Sequence, residues 1–286
     1  MAFMDPVRAC NQHDPQRYVP FRVDAVAVGR VYPEFARQAV DCCGEFSLGD
    51  AGLTYKTTGG SLEQRSTEFA GLLRKLLKQG LISHLHGEQY VATPAGREQG
   101  ILLVDRAAAP YFGIRAFGQH INGFVKTPEG LLMWVGRRSA DRKHFPGHLD
   151  NLAAGGLPYD ISLEDNLKKE CWEEASIPAE LAVQAVPVGA ITYCTDTGKG
   201  CKPDTLYCYD IELPEDFVPI CSDGEVDEFL LLPIRRVIEL VRDSKEFKLN
   251  CNLVIIDFLI RHGYIKPDEP DYLDLVGTLH RPLTPF

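Results

Sequence analysis

The spacing of apolar residues differs between the two parts of the chain. In the first part, apolar residues within 61–79 recur every three and four positions, which predicts a helix with one apolar face, closed by Gly80. That face is formed by Phe69, Leu72, Leu73, Leu76 and Leu77. The segments 81–85 and 89–93 predict two short strands joined by a turn. Residues 1–110 are therefore predicted to form a small α+β domain.

In the second part, short alternating segments predict strands, at 120–126, 131–137, 186–194, 205–213 and 228–232. A helix is predicted between them at 163–175, and two more follow at 234–242 and 250–262. Strands around one central helix, with helices at the end, favour an α/β/α sandwich on a mixed sheet. This second domain is predicted to cover residues 111–286.

Composition narrows the possible partners. A net charge of −10 argues against a protein that coats itself with nucleic acid, although a local basic cluster could still bind a small anion. No apolar run approaches the roughly 20 residues that span a bilayer, and the N-terminal residues lack the apolar core of a secretory signal. Nine cysteines, two of them adjacent, fit a reducing compartment. We therefore predict a cytoplasmic protein without a membrane partner.

The predicted helix at 163–175 carries a cluster of acidic residues. Ser162 is placed to cap its first turn, with Asp165 three residues on. Glu170, Glu173 and Glu174 fall at positions i, i+3 and i+4, so their carboxylates project from one face. Such a face is either solvated or neutralised by a hard divalent cation, because Mg²⁺ prefers oxygen ligands and commonly bridges carboxylates to phosphates.

The residues around this helix favour the cation. The segment 154–178 reads AGGLPYDISLEDNLKKECWEEASIP and resembles the Nudix box, with Gly155, Glu170, Glu173, Glu174 and Ile177 at matching positions. It departs from that pattern at four positions, which hold Ile161 for Glu, Lys169 for Arg, Cys171 for an apolar residue and Ser176 for Gly. The departures affect the residues that support the loop and the helix, whereas the metal-binding group is intact.

A narrower resemblance covers nearly the whole chain. It is carried by the segments RYVPFRVDAVAVGRV, YFGIRAFGQHINGFV, WVGRRSADRKHFPGHLDNLAAGG and FKLNCNLVIIDFLIRHGYI. These look like the Nudix proteins related to the hydrolase half of fungal thiamine pyrophosphokinase, which share an extra N-terminal domain. The resemblance implies hydrolysis of thiamine diphosphate, preferentially of its oxidised or damaged analogues, to the monophosphate.

The same resemblance implies a set of site residues. Glu170, Glu173 and Glu174 would bind Mg²⁺ or Mn²⁺, and the general base would be one of them or an acid of the later loop, Glu225 or Glu228. The diphosphate would be held by basic residues and by the glycine loop before the helix. These candidates are Arg137, Arg138, Lys143, Gly155 and Gly156.

Two other functions remain open at this stage. A Nudix hydrolase of nucleoside diphosphate sugars or dinucleotides would share the metal site and differ in the pocket. A non-catalytic ligand sensor would use residues 61–97 as a winged-helix-like DNA-binding segment, although such sensors usually lose carboxylates that this chain keeps. The N-terminal domain could cover the active site, supply substrate contacts or support a homodimer.

Overall fold

The computed structural model of the protein describes residues 2–283. Its helices in that range are α1 (Met4–Cys10), α2 (Pro33–Cys42), α3 (Leu62–Lys78), α4 (Ala109–Phe112), α5 (Leu163–Ala175), α6 (Ala179–Ala182), α7 (Ile234–Asp243), α8 (Leu249–Arg261) and α9 (Tyr272–Leu279). Its strands are β1 (Val19–Val23), β2 (Val26–Val31), β3 (Phe46–Gly49), β4 (Gly52–Tyr55), β5 (Gln89–Ala92), β6 (Leu102–Asp105), β7 (Ala116–Thr127), β8 (Gly130–Arg138), β9 (Leu149–Asp150), β10 (Ala153–Gly156), β11 (Val186–Asp196), β12 (Cys201–Glu212) and β13 (Val226–Pro233).

Residues 15–115, called here the N-terminal unit, form a four-stranded sheet packed on α2, α3 and α4. The strands run in the order β2-β1-β4-β3, with β1 and β4 parallel. Buried aromatic side chains fill the space between the sheet and the helices, among them Phe21, Phe46, Phe69 and Phe112. Helix α3 confirms the predicted helix, and a capping box between Ser61 and Gln64 fixes its start.

The hairpin predicted after α3 is wrong in its first strand. Residues 81–85 form no strand; instead the Leu81 amide bonds to the Leu76 carbonyl and Ile82 is buried against the unit's core. Strand β5 confirms the second segment, but it pairs with β6. The Asp105 carboxylate, at the end of β6, accepts the amides of His86 and Gly87 before β5, the latter at 2.8 Å. Within 61–97, helix α3 is followed by one strand whose partner lies at 102–105, and the DNA-binding alternative for this segment stays a prediction.

The second part of the chain forms a mixed sheet of seven strands. Its main path runs β11-β12-β7-β8-β13, with β12 parallel to β7 and the other neighbours antiparallel. Strand β10 pairs with the first half of β7, and β9 pairs with the end of β8. The five predicted strands are confirmed, most with longer bounds, as are the helices α5, α7 and α8.

Helices cover both faces of this sheet, which gives the predicted α/β/α sandwich. Ile121 and Val125 of β7 point to one face, where they share a core with Leu167 and Cys171 of α5. Phe124, between them, points to the opposite face and shares a core with α8. The alternation of β7 therefore places α5 and α8 on opposite sides of one sheet.

Helix α1 packs on the second part of the chain and not on the N-terminal unit that follows it. Phe3, Met4, Val7 and Cys10 are buried in the core that contains α8 and α9. The division near residue 110 remains a prediction about sequence segments, since this core draws on both ends of the chain. Within residues 2–283, none of the helices combines the length and apolarity that crossing a membrane requires.

Candidate active site

Helix α5 is fixed at both ends. The Ser162 hydroxyl accepts the Asp165 amide at 3.0 Å, which confirms the predicted cap. Gln119 of β7 accepts from the Asn166 side chain at 2.7 Å and ties the first turn to the sheet. At the other end, Ser176 has a φ of 51°, the conformation that favours glycine, and its hydroxyl donates to the Ile220 carbonyl at 2.7 Å. This hydrogen bond accompanies the departure from glycine at that position.

The carboxylates of Glu170 and Glu174 are brought together by α5 and β10. Both residues are only 8% exposed, whereas Glu173 is half-buried. The Ala154 amide donates to the Glu174 carboxylate at 2.8 Å. A Cβ atom on Gly155 would lie 2.0 to 2.2 Å from the carboxylate atoms of Glu170, so the bare glycine backbone makes room for that group. We call Glu170, Glu173 and Glu174 the carboxylate site.

Burial raises the pKa values of the two buried carboxylates of this site. Burial raises the pKa of Glu170; the Lys169 ammonium opposes this, and the charges of Glu173 and Glu225 add to it. Burial, followed by the charge of Asp150, raises the pKa of Glu174 well above its ordinary value. Two buried carboxylates that ionise with difficulty are stabilised by an added cation.

Lys169 is the cation that the chain itself supplies. Its Nζ atom lies 3.2 Å from a Glu170 oxygen and 2.8 Å from a Glu173 oxygen. Lysine at the position of the box's arginine therefore keeps a positive charge beside two of the three glutamates. This charge does not reach Glu174 as a contact in the described part of the chain, so the most buried carboxylate depends on other partners.

The donor set of the carboxylate site fits a divalent cation. All three groups are carboxylates, the oxygen ligands that Mg²⁺ and Mn²⁺ accept, and the Gly155 backbone leaves open the space next to Glu170. Glu170 and Glu174 are the residues placed to hold a cation, and Glu173 would join them by exchanging its ion pair with Lys169. The choice between Mg²⁺ and Mn²⁺ stays a prediction.

The loop before β13 lies beside the carboxylate site. The Ser222 hydroxyl donates to the Glu173 carbonyl at 2.8 Å, which docks the loop on the end of α5. Glu225 is paired with Arg142 at 2.5 Å and is close enough to influence Glu170. Glu228, in contrast, is paired with Arg137 at 2.6 Å on the neighbouring strands. Of the two loop acids among the base candidates, Glu225 is the one whose charge acts on Glu170, and the choice among these acids and the helix carboxylates stays a prediction.

The predicted basic residues fall into different environments. Arg138 is buried, bonds to Asp150 at 2.8 Å and donates to the His144 carbonyl. It is therefore withdrawn from the expected phosphate contacts, because its guanidinium is engaged inside the fold. Arg137 pairs with Glu228 and donates to the Gly147 carbonyl, and Lys143 is exposed in the following loop. For these two residues, phosphate binding remains a prediction.

A second buried cluster was not predicted. His120, Asp150 and Cys251 offer ligand atoms that all lie within 4.8 Å of one another, on β7, β9 and α8. Asp150 already accepts from Lys248 at 3.0 Å and from the Cys251 thiol at 2.7 Å, in addition to Arg138. Protein cations and donors thus satisfy this carboxylate. The sequence held no signal for the cluster because its members are far apart along the chain.

The loop from Leu157 to Ile161 is held from outside the box. Arg97 of the N-terminal unit donates to the carbonyls of Pro158, Tyr159 and Ile161, at 2.9 Å in the case of Tyr159. The Tyr159 amide bonds to the Gln89 carbonyl at 2.8 Å. Ile161 occupies the position where the box pattern has Glu. At this position the loop is held by hydrogen bonds from Arg97 of the N-terminal unit.

Comparison with known proteins agrees with this geometry. Residues 2–116 match a family described as a domain of unknown function, DUF4743. Nudix hydrolase 24, chloroplastic, of Arabidopsis thaliana is 40% identical over 282 residues, which cover 97% of this chain and 77% of that protein. The chain belongs to the Nudix hydrolase family. It is a Nudix pyrophosphohydrolase with a mixed α/β fold.

Two further relatives extend the match. Nudix hydrolase 20, chloroplastic, of Arabidopsis thaliana is 39% identical over 289 residues, covering 97% of this chain and 77% of that protein. A Saccharomyces cerevisiae protein, YJR142W, is 34% identical over 286 residues, covering 92% of this chain and 82% of its own length. The two plant proteins are named chloroplastic, and the cytoplasmic location predicted for this chain stays a prediction.

Proposed function

We propose that this Nudix hydrolase cleaves the phosphoanhydride of thiamine diphosphate, or of its oxidised or damaged analogues, to the monophosphate. The carboxylate site would carry the reaction with Mg²⁺ or Mn²⁺. The observation that supports the chemistry is the pair of buried carboxylates, Glu170 and Glu174, whose pKa values are raised by burial. The resemblance of the four quoted segments supports the choice of substrate.

In this mechanism the chain's residues bind the cation, orient the diphosphate and move one proton. A bound divalent cation would neutralise phosphate oxygens and lower the pKa of a water molecule. Glu225, held by Arg142 beside Glu170, would accept the proton of the attacking water. Arg137, Lys143 and the amides of the Gly155–Gly156 loop would bind the phosphate oxygens. Lys169 would keep Glu170 and Glu173 oriented.

The experiment is a substrate panel with a matched pair of variants. The panel holds thiamine diphosphate, its oxo and oxy analogues, ADP-ribose and diadenosine polyphosphates, each assayed with Mg²⁺ for phosphate-group release. Glu174→Gln keeps the shape of the buried side chain but removes its charge. Glu164→Gln is the control, because Glu164 is exposed on the same helix and pairs only with Lys168 among the described residues.

Preferential cleavage of the thiamine compounds is expected, with a loss of about 10²-fold or more in Glu174→Gln and little change in Glu164→Gln. Cleavage confined to the nucleotides would keep the Nudix chemistry and assign the alternative substrates. Equal turnover by wild type and Glu174→Gln would contradict the carboxylate site itself.

A further inference from the structure

The N-terminal unit contacts strand β10 at Gly156, on the face opposite α5. Strand β10 alternates, so Gly155 faces the Glu170 carboxylate and Gly156 faces away from it. A Cβ atom on Gly156 would lie 2.8 Å from the Tyr90 hydroxyl and 3.5 Å from the Arg106 guanidinium carbon. Two polar groups of the N-terminal unit, Tyr90 and Arg106, therefore lie against the backbone of β10.

The Arg106 side chain is oriented by its neighbours. Its Nη1 atom bonds to a Glu88 oxygen at 2.7 Å, and its guanidinium carbon lies 5.8 Å from the centre of the Tyr90 ring. Burial alone would lower the pKa of Arg106, but Tyr90, Glu88 and Glu170 raise it. The side chain is still 41% exposed, so solvent and a ligand can approach it.

We propose that Arg106 of the N-terminal unit binds the diphosphate of the substrate at β10, across this strand from the Glu170 carboxylate. This inference rests on the proposed phosphoanhydride hydrolysis. A guanidinium presents a planar fork of N–H donors that matches phosphate oxygens, and the Glu88 bond occupies a donor on Nη1. The Arg97 clamp on residues 158–161 fixes the distance between the two units, so Arg106 keeps its place next to Gly156.

A purely structural role for Arg106 predicts a different outcome. Its partner Glu88 is 40% exposed, and an ion pair between partly exposed side chains contributes little to stability. Removing the guanidinium is therefore expected to leave the melting temperature nearly unchanged. A loss of ligand affinity without a loss of stability distinguishes substrate binding from support of the fold.

The test measures binding of imidodiphosphate, a diphosphate that resists hydrolysis, in the presence of Mg²⁺ by calorimetry. The variants are Arg106→Gln and Arg106→Lys, with Arg74→Gln as the control because Arg74 is an exposed arginine on α3 of the same unit. Mn²⁺ binding, followed by electron paramagnetic resonance, reports on the carboxylate site independently of the diphosphate. Thermal melts report on the fold.

Arg106→Gln is expected to weaken imidodiphosphate binding about 10-fold or more, as for the loss of a charged hydrogen bond, with Mn²⁺ binding and melting temperature unchanged. Arg106→Lys should bind with intermediate affinity because it keeps the charge and loses the fork. If Arg106→Gln fails to fold, the lysine variant and Glu88→Gln decide the result, the latter by releasing the orientation of Arg106.

Wild-type affinity in folded Arg106→Gln would overturn the inference, as would a parallel loss of Mn²⁺ binding. The proposed hydrolysis fails separately. An enzyme that binds imidodiphosphate through Arg106 but cleaves no member of the substrate panel would retain the binding residue and lose the function. An enzyme that cleaves the panel and binds equally well without Arg106 would retain the function and lose the inference.

Discussion

Two acidic residues of the interior, Asp150 and Glu174, are buried to a similar degree but lie in opposite electrostatic environments. Asp150 is surrounded by Lys248, Arg138 and the Cys251 thiol, whereas the Glu174 carboxylate accepts a hydrogen bond from the Ala154 amide. Burial alone would raise the pKa of both. For Asp150, Lys248, His120, the Cys251 thiol and Arg138 reverse the effect and lower the pKa, whereas for Glu174 the charge of Asp150 raises it further.

The difference separates a structural carboxylate from a functional one. A buried charge is tolerated when the protein neutralises it, and it ionises with difficulty when the protein does not. The chain neutralises Asp150 with its own side chains, whereas in the proposed function Glu174 would be neutralised by a cation from solution. Burial alone would not have distinguished the two, because what differs is the number of cationic neighbours.

The strongest test of this comparison removes the neutralised charge. Asp150→Asn would leave Lys248 and Arg138 buried without their carboxylate, so we expect a loss of about 3 to 5 kcal/mol in the free energy of unfolding. Chemical denaturation measures it. Asp141→Asn in the nearby exposed loop is the control and should change stability by no more than about 0.5 kcal/mol. Equal stability of the two variants would contradict the structural role of Asp150.

The position of the second carboxylate is tested at the glycine loop. Gly155→Ala would push the Glu170 carboxylate away, since the new Cβ atom would lie 2.0 to 2.2 Å from its atoms. A displacement of that size is expected to cost about 10²-fold in turnover. Gly156→Ala, which meets the tip of Tyr90 instead, should cost less in turnover number. Steady-state kinetics compares the two, and the reverse order would mean that Glu170 does not need its present position.

The neutralisation of Glu174 is tested by removing its charge. Because the pKa of folded Glu174 is raised, its ionised form destabilises the metal-free protein at neutral pH. Glu174→Gln should therefore raise the melting temperature in EDTA by about 2 to 4 °C for each kcal/mol recovered. The same variant should lose the stabilisation that Mg²⁺ gives to wild type. A lower melting temperature in EDTA would show that the carboxylate stabilises the fold.

The smallest expected effect is a difference in pH dependence. The cost of Glu174 appears as pH rises through its raised pKa, so the stability gap between wild type and Glu174→Gln should narrow between pH 8 and pH 5. Asp150 has a lowered pKa, so its contribution is lost only as pH falls below the unfolded value of about 3.9. The gap between wild type and Asp150→Asn should therefore stay constant over that range. Denaturation curves at both pH values measure the two gaps.

The sequence was informative where structure is local. The apolar alternation predicted the strands of the large sheet, and the spacing of Glu170, Glu173 and Glu174 placed the carboxylate site on α5. It was uninformative where partners are distant. The four strands of the N-terminal sheet are only four to six residues long, which is too short for a clear apolar period. Strand β5 pairs with β6 at 102–105, a segment outside the predicted hairpin of 81–93.

The same limit applied to the site. Arg138 and Arg137 are neighbours in sequence, yet alternation along β8 turns one into the interior and leaves the other half exposed. Only the packed structure shows that Arg138 forms a buried ion pair with Asp150. Likewise, Arg97 and Arg106 carry no motif, and their proximity to the glycine loop depends on how the N-terminal unit docks on the large sheet.

The packing of α1 on α8 and α9 has a consequence for biosynthesis. About 240 residues separate these helices, so α1 is made long before the surface that buries Met4 and Val7 exists. During translation the apolar side chains of α1 are therefore exposed until α8 and α9 have left the ribosome and can bury them. Loss of α1, or of α8 and α9, would expose the same apolar surface, so segments from distant parts of the sequence are jointly required to close this core.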